Sequence, residues 1–254
     1  RNPIIGTKFT IAVSSAKGGV GKSTFATNLA LALKKLDLKV GILDADIYGP
    51  SLPRLFSIND KPESDGQKLK PITKYGIQCM SIGFLTDEET PMIWRGPMVI
   101  SAIKTFTQKV AWENLDIIVV DMPPGTGDTQ LTFSQEIKLD GVIIISTSQE
   151  IALQDVKRGI RMFDKLNVNI IGLVDNMSYF IGDDKKKYPI FGEGAVKKTS
   201  EKHKKEFIND IPIDPEVGKC GDMGMPIVEK YPNNYISKIY LQIAEKIKLN
   251  YFKV

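Results

Sequence analysis

The residues best suited to do chemistry lie close together near the start of the chain, in Ser15-Ala16-Lys17-Gly18-Gly19-Val20-Gly21-Lys22-Ser23-Thr24. Converging backbone N–H groups bind a nucleotide phosphate, and glycines permit that approach because they have no Cβ. We expect Lys22 to reach the β- and γ-phosphates, Ser23 to ligate Mg²⁺ and Thr24 to contact the α-phosphate. Ala16 stands where the strict motif has glycine, which does not change this prediction. The predicted nucleotide-binding residues of this loop are Lys17, Gly18, Gly19, Val20, Gly21, Lys22, Ser23 and Thr24.

Three aspartates at the ends of apolar runs form the second candidate group. Asp44 and Asp46 follow one run, and Asp121 ends Ile117–Val120. Ligands of a doubly wound sheet bind beyond the carboxyl ends of its strands, so these carboxylates should face the phosphate-binding loop. We predict that Asp46 orients the attacking water and that Asp44, Asp121 and Ser23 hold Mg²⁺ and its waters. The alternative is that Asp44 and Asp46 only form a turn at the end of a strand.

Two further segments are candidates for sensing and reading the nucleotide. The segment 122–128 contains prolines that stiffen it and glycines that allow close approach, which predicts a switch loop that distinguishes ATP from ADP. The predicted switch residues are Asp44, Asp46, Pro124, Gly125, Gly127 and Asp128. Asn176 could read adenine through its amide, and the predicted turn 211–215, with Pro212 and Asp214, could contact the ring. The chain lacks the Asn-Lys-x-Asp pattern of GTPases here, which favours ATP.

The elements that must position these residues alternate along the chain. Strands are predicted at Phe9–Ser14, Val40–Asp44, Ile77–Ser81, Ile117–Asp121, Val142–Thr147 and Ile170–Val174, and helices at Lys22–Leu36, Met98–Val110, Ile151–Leu166 and Ala195–Glu206. This alternation predicts an α/β fold, a doubly wound, mostly parallel sheet with helices on both faces. Residues 57–73 and 179–194 are polar and rich in glycine and proline, so we expect exposed loops there. We expect a single domain over residues 1–254.

Composition limits the classes of function. The 254 residues carry 34 Lys+Arg and 30 Asp+Glu, a net charge of +4 that comes mostly from lysine and favours a solvated surface over nucleic-acid binding. No apolar run approaches the ~18 residues of a membrane span. The two cysteines, Cys79 and Cys220, are too few for a disulfide framework, and with no leader pattern visible they predict a cytoplasmic protein without a membrane partner.

The order of the phosphate loop carries a resemblance. Lys17 precedes the glycines, and Lys-Gly-Gly-x-Gly-Lys-Ser resembles the deviant Walker motif of the MinD/ParA ATPases. That resemblance implies a slow ATPase that forms a homodimer around ATP, in which Lys17 contacts the nucleotide of the partner subunit. The implied catalytic residues are Lys17, Lys22 and Asp46.

Four more segments narrow the resemblance to the Mrp-type iron–sulfur cluster carriers. They are Asp44-Ala45-Asp46-Ile47-Tyr48-Gly49-Pro50-Ser51, Met122-Pro123-Pro124-Gly125-Thr126-Gly127-Asp128, Asn176-Met177-Ser178-Tyr179 and Ile190-Phe191-Gly192-Glu193-Gly194. The resemblance implies a cytosolic ATPase that binds a [4Fe–4S] cluster transiently and passes it to apo iron–sulfur proteins. Many such carriers also have a small domain upstream, which would lie outside this chain.

The chain departs from that family at the cluster ligands. Such carriers have Cys-x-x-Cys shortly after Asn-Met-Ser-Tyr, but residues 180–189 contain no cysteine. Carboxylates such as Asp183 and Asp184 are poor substitutes for thiolates. We expect Cys79 to be an inert buried thiol, which leaves Cys220, in a predicted exposed turn, as the candidate cluster ligand or as a plain surface cysteine.

Two alternatives therefore stay open beside an iron–sulfur carrier or assembly factor. One is a MinD/ParA-like spatial organiser whose amphipathic tail, Tyr235–Ile247, binds a membrane, although its apolar stripe is more typical of a core-facing helix. The other is a nucleotide-gated adaptor that delivers a client without holding a cluster.

Overall fold

The computed structural model describes residues 1–85 and 94–252. Its strands are β1 (Thr7–Ser15), β2 (Val40–Asp44), β3 (Ile72–Lys74), β4 (Ile77–Ser81), β5 (Leu115–Asp121), β6 (Gly141–Ser146), β7 (Ile170–Ile181), β8 (Lys187–Tyr188) and β9 (Phe207–Ile213). Its α-helices are α1 (Lys22–Lys34), α2 (Leu52–Leu55), α3 (Gly96–Lys104), α4 (Asp128–Glu136), α5 (Glu150–Lys165), α6 (Ala195–Lys202), α7 (Pro215–Asp222), α8 (Ile227–Lys230) and α9 (Tyr235–Tyr251). A π-helical turn, Thr105–Lys109, extends α3.

The strands of the described ranges form one sheet in the order β3-β4-β2-β5-β1-β6-β7-β8, with β9 also paired to β7. Every pairing is parallel except β3 with β4 and β7 with β8. The first strand lies at the centre, between β5 and β6, so the chain winds outward from β1 in both directions. This confirms the predicted doubly wound, mostly parallel α/β fold.

The central strands explain why the sheet is covered. Every residue of β2 and β6 is buried, which requires helices against both faces, because a strand exposed on one face would alternate apolar and polar residues. Helix α1 contributes Phe25, Leu29 and Leu33 to the resulting core.

The amphipathic tail is helix α9, and its apolar stripe is part of the core. Ile236, Tyr240, Ile243 and Ile247 are each at most 2% exposed. The rings of Tyr240 and Phe25 on α1 lie 5.7 Å apart between centroids. The expectation that this stripe faces the core is confirmed, and the stripe is not free to enter a membrane. Among the described residues, no helix is long and apolar enough to cross one.

Helix α4 and strand β9 are among the elements that were not predicted from the sequence. Helix α4 begins at Asp128, inside the predicted switch loop, and buries only Gln130, Phe133 and Ser134, too few for an apolar period. The predicted turn 211–215 was wrong, because residues 211–213 complete β9 and Asp214 caps α7. Proline is tolerated in β9 because this strand pairs only with β7 and lies at a sheet edge.

Three predicted boundaries also differ from the structure. The exposed loop expected at 179–194 includes a hairpin, because β7 continues to Ile181 and pairs with β8. The helix expected at 195–206 ends at Lys202. The segment 57–73 contains little regular structure, as expected, although β3 begins at Ile72.

Candidate nucleotide-binding site

The predicted phosphate loop connects β1 to α1 and borders a cavity of about 470 Å³. Helix α1 begins at Lys22, and its N-cap, Gly21, offers no side-chain acceptor, so the first amides of the helix remain available to an anion. The cavity is lined by Ser15, Gly18, Gly19, Gly21, Lys22, Ser23, Thr24, Asp46, Ser51, Arg54, Leu55, Pro124, Val217, Gly218, Gly221 and Asp222. The structure thus brings most of the predicted phosphate-loop residues and Asp46 to one cavity.

The shape of the loop depends on Gly21 and Asn176. Gly21 has a φ of +82°, and a Cβ built on it would lie 2.4 Å from Asn176 Nδ2. That amide donates a hydrogen bond of 2.8 Å to the carbonyl of Val20. Asn176 therefore holds the loop from β7 in this structure, and its predicted contact with adenine stays a prediction.

Lys22 lies in an ion-pair cluster at the back of the cavity. Its Nζ is 2.5 Å from Asp121 Oδ1 and 3.4 Å from Asp46 Oδ2, and the side chain is 6% exposed. Burial lowers the pKa of Lys22, but the attraction of Asp121 and Asp46 outweighs it, so the net pKa is raised. Lys22 therefore stays charged, and burial raises the pKa of Asp121, an effect larger than the opposing one of the neighbouring Ser23 hydroxyl, which lowers it.

Asp44 is fully buried beneath this cluster and holds the chain that follows β2. Its Oδ2 accepts hydrogen bonds from the amides of Ser51 (2.9 Å) and Leu52 (3.0 Å) and from Ser81 Oγ (3.0 Å), while Oδ1 accepts one from the amide of Asp46 (3.2 Å). Burial and the charge of Asp121 raise the pKa of Asp44 to about 7. Asp44 does not line the cavity, and with these contacts it supports the metal side of the site through the backbone around Asp46.

Asp46 faces the cavity from a tight turn. Its Oδ1 accepts hydrogen bonds from the amides of Tyr48 (3.2 Å) and Gly49 (3.3 Å), which leaves Oδ2 toward Lys22. The hydroxyl of Tyr48 lies 2.9 Å from Thr129 Oγ1 on α4. The turn that carries Asp46 and the helix that begins at Asp128 are therefore linked by one side-chain hydrogen bond.

The other predicted switch residues surround the start of α4. Pro124 lines the cavity, and the amide of Gly125 donates a 2.8 Å hydrogen bond to the Ser15 carbonyl at the base of the phosphate loop. Gly125 has a φ of +93°, a conformation that favours glycine. Gly127 and Asp128 are exposed where α4 begins.

Helix α7 forms a wall of the cavity that was not predicted from the sequence. Val217, Gly218 and Gly221 line the cavity there, and the guanidinium of Arg54 pairs with Asp222 at 3.0 Å beside them. The Asp-Pro step at 214–215, an N-cap followed by proline at the first helical position, is a signal that could have revealed this helix. Pro212 is buried and Asp214 accepts from the Glu216 amide (2.8 Å), and neither lines the cavity, so their contact with the base stays a prediction.

Lys17 lies on the phosphate loop but does not line the cavity. It is exposed and makes no ion pair with any residue of the described ranges. The expected contact of Lys17 with the nucleotide of a partner subunit stays a prediction.

Neither cysteine is placed to ligate a cluster. Cys79 is fully buried in β4, where burial raises the pKa of its thiol to about 12, which confirms the expected buried thiol. The expectation of an exposed turn at Cys220 was wrong: it lies in α7, is also fully buried, and burial raises its pKa. Within the described residues, no three His, Cys, Asp or Glu side chains are grouped as a metal site.

The central β1, the glycine loop and the uncapped start of α1 define a P-loop nucleotide-binding protein. A family model described as "ParA: NUBPL iron-transfer P-loop NTPase" matches residues 6–248. The chain belongs to this family of NUBPL-type iron-transfer P-loop NTPases.

Individual relatives agree with that assignment. The chain is 47% identical to the iron-sulfur cluster carrier protein of Aquifex aeolicus, over 96% of this chain and 68% of that protein. It is 46% identical to the iron-sulfur cluster transfer protein NUBPL of Mus musculus, over 97% of this chain and 79% of that one. A solved nucleotide-binding protein from Archaeoglobus fulgidus, in complex with ADP, is 40% identical with a TM-score of 0.79 and covers 89% of both chains.

Proposed function

We propose that the protein is an ATP-binding and ATP-hydrolysing homodimeric switch that serves as an iron–sulfur cluster carrier or assembly factor. The observation that carries the proposal is the ion-pair cluster in which Lys22 and Asp46, both lining the phosphate-loop cavity, meet the buried Asp121. In this proposal the cation serves the phosphates, and the two carboxylates serve the water and the metal. The family to which the chain belongs, and the ADP bound in the solved relative, support this use of the cavity.

The chemistry requires positioning and charge neutralisation rather than a covalent step on the protein. Lys22 turns from the two carboxylates to the β- and γ-phosphates, and the amides at the start of α1 bind the phosphate oxygens. Ser23 and Asp121, a hydroxyl and a carboxylate close to each other, would hold a hydrated Mg²⁺, which supplies charge neutralisation when bound. Asp46, released by Lys22, is then free to orient the attacking water.

Dimer formation follows from the position of Lys17. This exposed ammonium group contributes nothing to its own cavity, so it serves the nucleotide of a second copy of the chain, as the resemblance to MinD/ParA ATPases implies. The γ-phosphate then controls the fit of the two subunits, because it is the group that distinguishes ATP from ADP.

The iron–sulfur role rests on the family and on the names of the relatives. The cluster is cargo, and thiolates are its usual ligands. Because both thiols of this chain are buried with raised pKa values, the structure favours the second candidate, a nucleotide-gated adaptor that delivers a client without holding the cluster on its own cysteines.

Anaerobic reconstitution distinguishes a carrier that holds the cluster on Cys220 from an adaptor that holds no cluster. The protein is incubated with iron and sulfide, desalted, and its iron and sulfide are counted for the wild type and for Cys220→Ser. Iron retained by the wild type and lost in Cys220→Ser would support carriage on this thiol. Absence of retained iron in both proteins would support the adaptor.

The switch chemistry is tested with Asp46→Ala. We expect slow ATP hydrolysis by the wild type and a loss of about tenfold or more in Asp46→Ala, with ATP still bound, because the lost carboxylate acts on the water. The matched control is Asp60→Ala, which removes an exposed carboxylate outside this cavity. Undiminished hydrolysis by Asp46→Ala would contradict the proposed role of Asp46.

A further inference from the structure

A second cavity, of about 360 Å³, lies on the far side of β7 from the phosphate loop. It is enclosed by the β7–β8 hairpin, helix α6 and strand β9, and none of its lining residues lines the nucleotide cavity. Its charged and aromatic lining residues include Asp175, Tyr179, Lys187, Lys197, Phe207 and Asp210. Its volume is in the range of small-molecule sites.

The most buried residue of this cavity wall is an acid with an unmet acceptor. Asp175 is 3% exposed, and its Oδ2 accepts a 2.5 Å hydrogen bond from Ser148 Oγ. Its Oδ1 accepts no hydrogen bond from any residue in the described ranges, although it is fully buried. Buried carboxylate oxygens are nearly always paired, because an unpaired one keeps the full cost of its desolvation.

The groups around Asp175 Oδ1 favour a positively charged hydrogen-bond donor. Burial raises the pKa of Asp175 to about 6, a shift that the Ser148 hydrogen bond opposes and the neighbouring charge of Asp210 increases. Asp175 and Asp210 are register partners in the β7–β9 pairing, so the two carboxyls lie side by side in the wall, and none of the described ion pairs puts a cation between them. A guanidinium or ammonium group would satisfy both.

The exposed rim of the cavity is positively charged, whereas its interior is acidic. Lys187 and Lys197 are exposed there, and the Nζ of Lys187 lies 4.1 Å from the centroid of the Tyr179 ring. Glu193 also lines the rim, but the two ammonium groups outnumber it. Tyr179 and Phe207 supply the apolar walls between the acidic interior and this rim.

We propose that this cavity binds a zwitterion of amino-acid size, whose guanidinium or ammonium group pairs with Asp175 and Asp210 and whose carboxylate meets Lys187 and Lys197. The same chemistry occurs in a free basic amino acid and in a basic residue at the carboxyl end of a protein chain. The site shares no lining residue with the nucleotide cavity, so a test of ligand binding here is independent of the proposed ATPase activity.

Calorimetric titration with matched probes tests both ends of the ligand. The probes are L-arginine, agmatine, which lacks the carboxylate, and L-citrulline, whose side chain is neutral where that of L-arginine is a guanidinium. We expect L-arginine to bind and each analogue to bind about tenfold or more weakly, the loss of one charge-assisted pair. Nα-acetyl-L-arginine separates the two sources: binding equal to that of L-arginine indicates a chain end, and weaker binding a free amino acid.

Variants then assign the binding to this cavity. Asp175→Asn and Lys197→Gln should each weaken L-arginine about tenfold, while the exposed neighbours altered in Asp183→Asn and Lys198→Gln should have no effect. ATP affinity should stay unchanged in Lys197→Gln. No heat with L-arginine or L-lysine at about 10 mM would overturn the proposal. The proposal would also be overturned if Lys197→Gln bound L-arginine as tightly as the wild type, or if agmatine bound as tightly as L-arginine. Neither of these results depends on whether Asp175→Asn folds.

Discussion

At the scale of single residues, the charged groups that would bind the nucleotide and the metal are paired with one another. Lys22 forms two buried ion pairs, and removing one partner of a buried pair typically costs about 3–5 kcal/mol because a charge is left uncompensated. Phosphates and a divalent ion can replace both partners at once: the phosphates take Lys22, and the metal takes Asp121. Binding of either component alone leaves one charge unpaired, so nucleotide and metal should bind together.

Lys22→Ala tests this arrangement. We expect ATP affinity to fall about a hundredfold or more, because the phosphates lose a charge-assisted partner and Asp46 and Asp121 now repel them. Titration with a fluorescent ATP analogue measures the change. Lys35→Ala, at the other end of α1, removes a half-exposed lysine that pairs with Glu229 and should leave the affinity unchanged. Equal ATP affinity in Lys22→Ala and the wild type would contradict the phosphate-loop assignment.

At the scale of elements, the predictable part of the site is the part that is local in sequence. The loop between β1 and α1 carries its glycines, lysine and serine in one segment, so spacing alone predicted it. The wall formed by α7 could not be predicted in this way, because it depends on packing that brings residues 215–222 to residues 15–24 across the fold. The two glycines beside Cys220 suggested a turn, whereas the Asp-Pro cap starts a helix that buries the thiol.

The contacts of Asp44 likewise could not be predicted from the sequence, because they depend on how the chain folds back. Its position at the end of β2 correctly predicted a carboxylate close to the site, but strand-end position does not show what the oxygens contact. The amides of Ser51 and Leu52 return to it only because α2 folds back after the Asp46 turn. In this structure its carboxylate supports that turn, and its predicted part in holding Mg²⁺ and its waters stays a prediction.

The hydrogen bond between Tyr48 and Thr129 links the turn that carries Asp46 to helix α4, so its removal should affect catalysis. We expect Tyr48→Phe to lower ATP turnover about threefold to tenfold, the value of one hydrogen bond, with little change in ATP affinity. Thr129→Val should have the same effect, and the double variant should lose no more than either single one. Tyr188→Phe, which removes a hydroxyl that donates to Asp184 on the hairpin, is the control. Additive losses in the double variant would show that the two residues act separately.

Helix α9 provides a second test at this scale. Ile243→Ala should lower the free energy of unfolding by about 2–5 kcal/mol, because a fully buried side chain leaves a cavity. Leu249→Ala, in the same helix but 72% exposed, should change it by less than about 0.5 kcal/mol. Chemical denaturation measures both variants. Near-equal stability of Ile243→Ala and the wild type would show that the apolar stripe is not part of the core.

At the scale of the whole molecule, one sheet supports two separate cavities on either side of β7. Asn176 of this strand holds the phosphate loop, while the preceding residue, Asp175, lines the second cavity. Alternate residues of a strand point to opposite sides, so one strand can serve both. Lys17 is exposed and outside the lining of the nucleotide cavity, and we propose that it serves the nucleotide of a second copy of the chain.

The central claim is that ATP joins two copies of the chain through Lys17. Sedimentation velocity with a nonhydrolysable ATP analogue and Mg²⁺ measures it for the wild type and for Lys17→Ala. We expect the wild type to shift from monomer to dimer with the analogue but not with ADP, and Lys17→Ala to remain monomeric while still binding the nucleotide. A wild type that stays monomeric at saturating analogue, or a Lys17→Ala protein that dimerises equally well, would contradict the account.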